Sequence, residues 1–173
     1  MVIYTIGHSN RSLEDFLAAL KGHGIGLLVD IRSFPSSRRH PHFNAEALAA
    51  ALAAEGIRYL HMRELGGRRR PSRGPSPNEG WRSPGFRAYA DHMLTSEFAE
   101  AVRRLLELAQ ERPTAVMCAE AAYARCHRLL LSDYLVAQGV EVRHILDARR
   151  WRPHSLTPFA RAEDGRVVYP TML

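Results

Sequence analysis

Apolar residues concentrate in five short runs, Val2 to Ile6, Leu27 to Ile31, Ile57 to His61, Thr114 to Cys118 and Val140 to Ile145, and the segments between them follow a helical period. Strands that alternate with helices call for parallel crossovers. Ser12 is placed to cap a first helix, with Asp15 as capping-box partner and Leu13, Phe16, Leu17 and Leu20 on one face, ending at Gly22 and Gly24. Asn44 is placed to cap an alanine-rich second helix through Ala45 to Glu55, with Gly56 as its stop. A third helix is expected from Phe86 to Leu94. Ser96 should cap a fourth that carries Phe98, Val102, Leu105, Leu106 and Ala109, before Pro113. The last should begin near Cys126, show Leu129, Leu130, Asp133, Tyr134 and Val136, and stop around Gly139.

The reading is a three-layer, Rossmann-like α/β fold around a mainly parallel five-stranded sheet of order 3-2-1-4-5, in a single domain over residues 1–173. Two stretches stand outside the alternation. Residues 64–84 have neither period, and a structureless loop this long is functional or disordered. The tail from 149 to 173 holds Trp151, Phe159 and Tyr169, so it is expected to pack on the core, with a short strand at Arg166 to Tyr169.

With 46% hydrophobic and 24% charged residues in 173, the composition is that of an ordinary globular domain. A chain of this length buries roughly 70% of its unfolded surface and needs no disulfide or structural metal to build a core. No run reaches the ~18 apolar residues of a membrane span. Met1 to Tyr4 opens directly into a strand, so the expected location is the cytoplasm and no membrane partner is expected. Cys118 and Cys126 are then free thiols or ligands.

The net charge of +6 comes from arginine, since Lys21 is the only lysine. Arg68, Arg69, Arg70, Arg73, Arg82 and Arg87 face only Glu79 between Gly66 and Arg87. Arg38, Arg39, His40 and His42 form a second basic loop. Arginine forks bind phosphate bidentately, so the expected partner is a phosphate-bearing ligand, nucleotide or nucleic acid, with Phe43, Trp81 and Phe86 interleaved for stacking.

In an open parallel sheet, ligands bind beyond the carboxyl ends of the strands. Those ends carry Gly7-His8-Ser9, Asp30-Ile31-Arg32, His61, Cys118-Ala119-Glu120 and His144. Such convergence points to a site between the first and fourth strands. His8, Cys118, Glu120, Cys126 and His127 would supply acid, base or nucleophile, with Asp30 orienting a partner. Ser9, Arg32, Arg38, Arg68, Arg69 and Arg128 would bind the substrate. Cys126, at a helix N-terminus beside His127 and Arg128, has the setting that lowers a thiol pKa. Strand, loop and helix with a nearby arginine resemble the anion cradle of rhodanese and cysteine phosphatase folds. The spacing from Cys118 to Arg125 is one residue longer than theirs.

Thr5-Ile6-Gly7-His8-Ser9, Val29 to Pro35 with Ser37-Arg38, Leu65-Gly66-Gly67, Gly85 to Tyr89, Met117 to Glu120 and Cys126-His127-Arg128 together resemble the domain of unknown function 488 family. The resemblance implies a small bacterial or archaeal cytoplasmic α/β protein of unestablished activity. It departs at Ala121 to Arg125, where the family often carries a charged, proline-containing turn.

The first reading is an enzyme, a hydrolase or thiol-dependent transferase, acting on a phosphate-bearing substrate. The alternatives are a non-catalytic nucleic-acid-binding module, held by Arg68, Arg69 and Arg70, and a zinc or redox-sensing protein. The zinc ligands would come from Cys118, Glu120, Cys126, His127 and His8. The residues name no cofactor and no oligomeric state.

Overall fold

The computed structural model describes residues 1–71 and 73–171; Ser72, inside the expected 64–84 loop, and Met172 and Leu173, at the end of the tail, lie outside the described residues. The order of elements is β1 (Val2–Gly7), α1 (Leu13–Gly22), β2 (Leu27–Asp30), α2 (Ala45–Ala54), β3 (Arg58–His61), α3 (Pro84–His92), α4 (Ser96–Glu111), β4 (Thr114–Cys118), α5 (Arg128–Ala137) and β5 (Glu141–Ile145). Three short strands follow, β6 (Trp151–Pro153), β7 (Arg161–Glu163) and β8 (Arg166–Val168).

The protein has the expected α/β architecture, with a six-stranded, mainly parallel sheet flanked by helices. Its order is β3-β2-β4-β1-β5-β6, which corrects the expected 3-2-1-4-5 in one place: β4 sits between β2 and β1. Both strands are apolar enough for the interior, so their run of residues does not say which neighbours which. β6 adds an antiparallel edge, with Ile145 opposite Trp151.

Two-residue alternation divides the sheet side chains between two layers. Ile3, Val29, Val116, Cys118 and Val142 pack with Tyr89 of α3, Phe98 of α4 and Leu131 of α5. Ile6, Leu28, Met117 and Ile145 pack with Phe16 and Leu20 of α1 and Leu48 and Leu52 of α2. Among the described residues no helix is long and apolar enough to cross a membrane.

Helix ends follow local chemistry, with some caps differing from expectation. Ser12 Oγ accepts the Asp15 N–H at 3.0 Å, as a capping serine does. Asn44 stands before α2 but turns its Oδ1 to the Ser37 N–H at 2.6 Å, fastening the loop after β2 instead of the helix. Thr95, and not Ser96, caps α4. Ser83 caps α3, with Pro84 at the first helical position where its missing N–H costs nothing. α5 begins at Arg128, two residues later than expected, so Cys126 and His127 lead into the helix.

The described residues between a short 3-10 turn at Arg63–Leu65 and the start of α3 are irregular, and buried Asn78 ties them to the tail. Asn78 Oδ1 accepts the Tyr169 N–H at 2.9 Å, and the Gly80 N–H donates to Tyr169 O at 2.8 Å. Trp81 packs against Phe86, Phe159 and Tyr169. The expected strand near Arg166 is β8, which forms an antiparallel hairpin with β7 through Asp164 and Gly165, both at positive φ.

Candidate active site

β4 delivers Cys118 to the carboxyl edge of the sheet, and the turn between β4 and α5 brings Cys126 back over it. The two sulfurs lie 3.2 Å apart, as free thiols. Arg128, the first residue of α5, serves both: its Nε–H donates to Cys118 Sγ at 2.9 Å and its backbone N–H to Cys126 Sγ at 3.3 Å. That N–H belongs to a helix N-terminus with no intrahelical acceptor, so the sulfur satisfies it while meeting the positive end of the dipole.

Two thiols this close release their protons in separate steps. Cys126 is the early one. The hydrogen bond from Cys118, followed by the positive charge and N–H donors of Arg128, holds it down to about 6 despite burial. Burial, together with the hydrogen bond it gives to Cys126, pushes Cys118 well above the ordinary thiol range. At neutral pH the pair therefore shares one proton and carries one negative charge under Arg128.

Three further Arg128 donors are committed. NH2 donates to the carbonyls of Glu120 at 2.7 Å and Ala121 at 3.1 Å, and NH1 to Thr5 Oγ1 at 3.0 Å. From Thr5 a buried chain of polar groups continues: Thr5 Oγ1 to His144 Nδ1 at 2.6 Å, His144 Nε2 to His154 Nδ1 at 2.8 Å, and His154 Nε2 to Asp133 Oδ1 at 2.8 Å. Asp133 also accepts from Thr157 N and Tyr169 Oη. A carboxylate only accepts, so His154 donates from Nε2. Its Nδ1 then accepts from His144, whose Nδ1 accepts the Thr5 hydroxyl. Burial lowers His144 to about 3, in keeping with a neutral ring there.

The sulfurs sit at the floor of a cleft of about 820 Å³. Its walls include Arg32, Phe34, Arg68, Phe86, Tyr89 and Arg125. Phe34 is 58% exposed there, and the Arg68 guanidinium lies 5.2 Å from its ring centre. Cys126 and Cys118, at 8% and 2% exposure, both line this opening.

Of the expected site residues, Cys118, Glu120, Cys126, His127, Arg32 and Arg68 line the cleft. Glu120 stands exposed at its mouth, and its carbonyl, not its carboxylate, meets Arg128. His127 donates from Nε2 to Ile31 O at 2.8 Å, and burial lowers it to about 4, which makes it a poor base near neutrality. A Cβ on Gly67 would stand 2.5 Å from His127 Nδ1.

Other expected residues lie elsewhere. His8 is on the opposite layer from the sulfurs: its ring stacks on Phe43 at 4.4 Å, its Nδ1–H donates to Ser9 O, and its Nε2 accepts from Arg32 NH1 at 3.4 Å. Burial lowers His8 to about 4. Asp30 joins that layer, holding Arg32 through both carboxylate oxygens and accepting from Tyr59. His8 and Asp30 thus orient Arg32 and do not meet the thiols. Ser9, at positive φ, shapes the turn after β1. Gly7 allows a backbone approach, not a ligand: a Cβ there would fall 1.7 Å from Glu120 O. Arg38 is exposed outside the cleft lining, and Arg69 is fixed to the carbonyls of Gly66 and Arg63. Arg128 holds Cys118 and the carbonyls of the turn after β4. Phe43 and Trp81 are packed inside, leaving Phe86 of the three expected stacking residues on the cleft wall. Among the described residues, no group of three His, Cys, Asp or Glu side chains is arranged to hold a metal ion.

The model of the family described as Domain of unknown function DUF488 matches residues 12–135. The chain belongs to this family. The span matched to DUF488 carries both cysteines, Arg128, Asp133 and every residue named on the cleft wall. Thr5, His144, His154 and Tyr169 of the buried chain lie outside it. No curated protein and no solved structure matches this DUF488 chain.

Sequence reasoning missed Phe34, Arg125 as a cleft residue, and the chain from Thr5 to Asp133. Asp133 had a signal: a carboxylate inside the buried face of a leucine-rich helix requires partners.

Proposed function

We propose that the protein is a thiol-dependent group-transfer enzyme acting on a phosphate-bearing substrate, with Cys126 as nucleophile. The observation that carries this reading is the sulfur pair at the cleft floor, 3.2 Å apart and under Arg128. A thiolate is the nucleophilic form, and a cysteine held down to about 6 is ionised at neutral pH.

Arg68 and Arg125 supply charge at the walls for the phosphate. Arg32 offers NH1, whose contact with His8 is long at 3.4 Å. Exposed Phe34 gives a planar platform for a base or other flat group. The cleft volume of about 820 Å³ suits a nucleotide-sized molecule, within the ~300–1,000 Å³ typical of small-ligand sites. His127 is neutral and tethered, so the reaction relies on an already ionised sulfur and not on a histidine base.

Alkylation of Cys126 by iodoacetamide, followed by peptide mass spectrometry across pH, tests the reading. The rate should rise through a midpoint near 6, and ATP or pyrophosphate should protect the wild type more than an Arg68→Ala, Arg125→Ala variant. A midpoint in the ordinary thiol range, or no protection by either anion, would refute it.

A further inference from the structure

We propose that Cys118 and Cys126 act together as a two-electron couple, and that the substrate is a phosphate-bearing disulfide reduced in the cleft. This rests on the thiolate reading above and adds to it the role of the second sulfur. Three features carry it: the 3.2 Å separation of the sulfurs, the place of both in the lining of one cleft, and the separate donor that Arg128 gives to each.

Forming a disulfide requires the sulfurs to close to ~2.05 Å with Cβ atoms about 3.8 Å apart. Cys126 lies in the turn before α5, after a single 3-10 turn at Tyr123–Arg125, so that turn is the part to move while β4 stays fixed in the sheet. Cys118 donates to the Cys126 thiolate, and the Arg128 Nε–H at its own sulfur equips it to carry the charge in turn.

In the first step the Cys126 thiolate attacks one sulfur of the substrate. The substrate S–S bond breaks, its far half leaves with the electron pair, and a mixed disulfide forms on Cys126. The Cys118 proton passes to that departing thiolate. Cys118, now a thiolate held by the Arg128 Nε–H, attacks Cys126 Sγ and expels the near half as the second thiolate, which takes a proton from water. The substrate has gained two electrons, and the protein holds a Cys118–Cys126 disulfide. An external dithiol restores the starting state.

The full, pre-reduced chain is mixed at neutral pH with oxidised coenzyme A, a disulfide with phosphates on both halves, and in parallel with oxidised glutathione, anionic but free of phosphate. Intact mass and released thiol are followed. The wild type should lose two hydrogens and release both product thiols. Cys118→Ser should stop at a coenzyme A adduct on Cys126 with one thiol released. Coenzyme A disulfide should react about tenfold faster than glutathione disulfide, as charge-assisted contacts to phosphate predict.

A wild-type chain that accumulates a stable adduct, or that releases no thiol from either disulfide while iodoacetamide still alkylates Cys126 rapidly, would overturn the couple and leave the thiolate reading standing. Equal rates with both disulfides would overturn the phosphate-bearing substrate class. Slow alkylation of Cys126 would overturn both readings together.

Discussion

Arg128 is the residue on which the site turns, because four of the five N–H donors of its fork have a named acceptor: one sulfur, one hydroxyl and two carbonyls. A lysine would keep the charge but replace the planar fork with a single flexible ammonium. Arg128→Lys is therefore expected to raise the alkylation midpoint of Cys126 only slightly, since the charge and the backbone N–H that favour the ionised sulfur are kept and only the side-chain donor is lost. A large rise would show that the side-chain donor outweighs both. At this scale the sequence was informative about residue types and blind to faces. Cys118, Cys126 and Arg128 are legible as a group from spacing and from the helix start. His8 and Asp30 reach the same sheet edge, but alternation turns them to the layer of Phe16 and Phe43. With Gly7 opposite Cys118, the residue after Gly7 must point away from the sulfur, and that register is invisible before the strands are paired.

Among elements, the polar chain from Arg128 to Asp133 joins β1, β5, the tail and α5 through the protein interior. Its direction is fixed at both ends, by a guanidinium that only donates and a carboxylate that only accepts. Asp133→Asn keeps the shape but removes the charge that receives His154, Thr157 and Tyr169. Hydrogen bonds to charged groups contribute about 1.5–3 kcal/mol each, and the amide still accepts some of them, so a loss of about 2–4 kcal/mol is expected. Urea unfolding of the variant measures it; a midpoint within error of the wild type would mean that the chain does not lock the tail to α5. The strands and helices themselves were legible because apolar runs and caps are local. The place of β4 between β2 and β1 was not, because it depends on a choice between two equally apolar strands made by long-range packing. His144 shows the same limit. It reads as the end of the fifth strand, yet it pairs opposite Thr5 and is buried behind the edge.

For the molecule as a whole, the buried titrating groups around the sulfurs make stability climb from acid toward alkaline pH, and the sign follows from which state binds protons. Burial lowers His127 to about 4 and His144 to about 3 from an ordinary value of 6.5. As pH falls below 6.5 the unfolded chain takes up protons that the folded chain refuses, and each histidine removes up to about 1.4 kcal/mol per pH unit until its own folded value is reached. Cys126 adds a second limb. Its folded value, about 6, lies below the ordinary 9.0, so the folded chain has released a proton that the unfolded chain still holds. That contribution is complete above 9.0 and is lost as pH falls toward 6. Cys118 works in the opposite sense at the alkaline end: its raised value makes the folded chain retain a proton that the unfolded chain gives up, so stability declines once pH passes the ordinary 9.0. Urea midpoints measured across pH under reducing conditions should rise steeply from about 4 to 6.5 and more gently from there to 9.0. Cys126→Ser removes the titrating sulfur without touching either histidine, so it should flatten the gentle limb and leave the steep one in place. A variant whose profile keeps both slopes would assign the neutral-to-alkaline rise to some other group and would remove the ionised Cys126 from the stability of the fold.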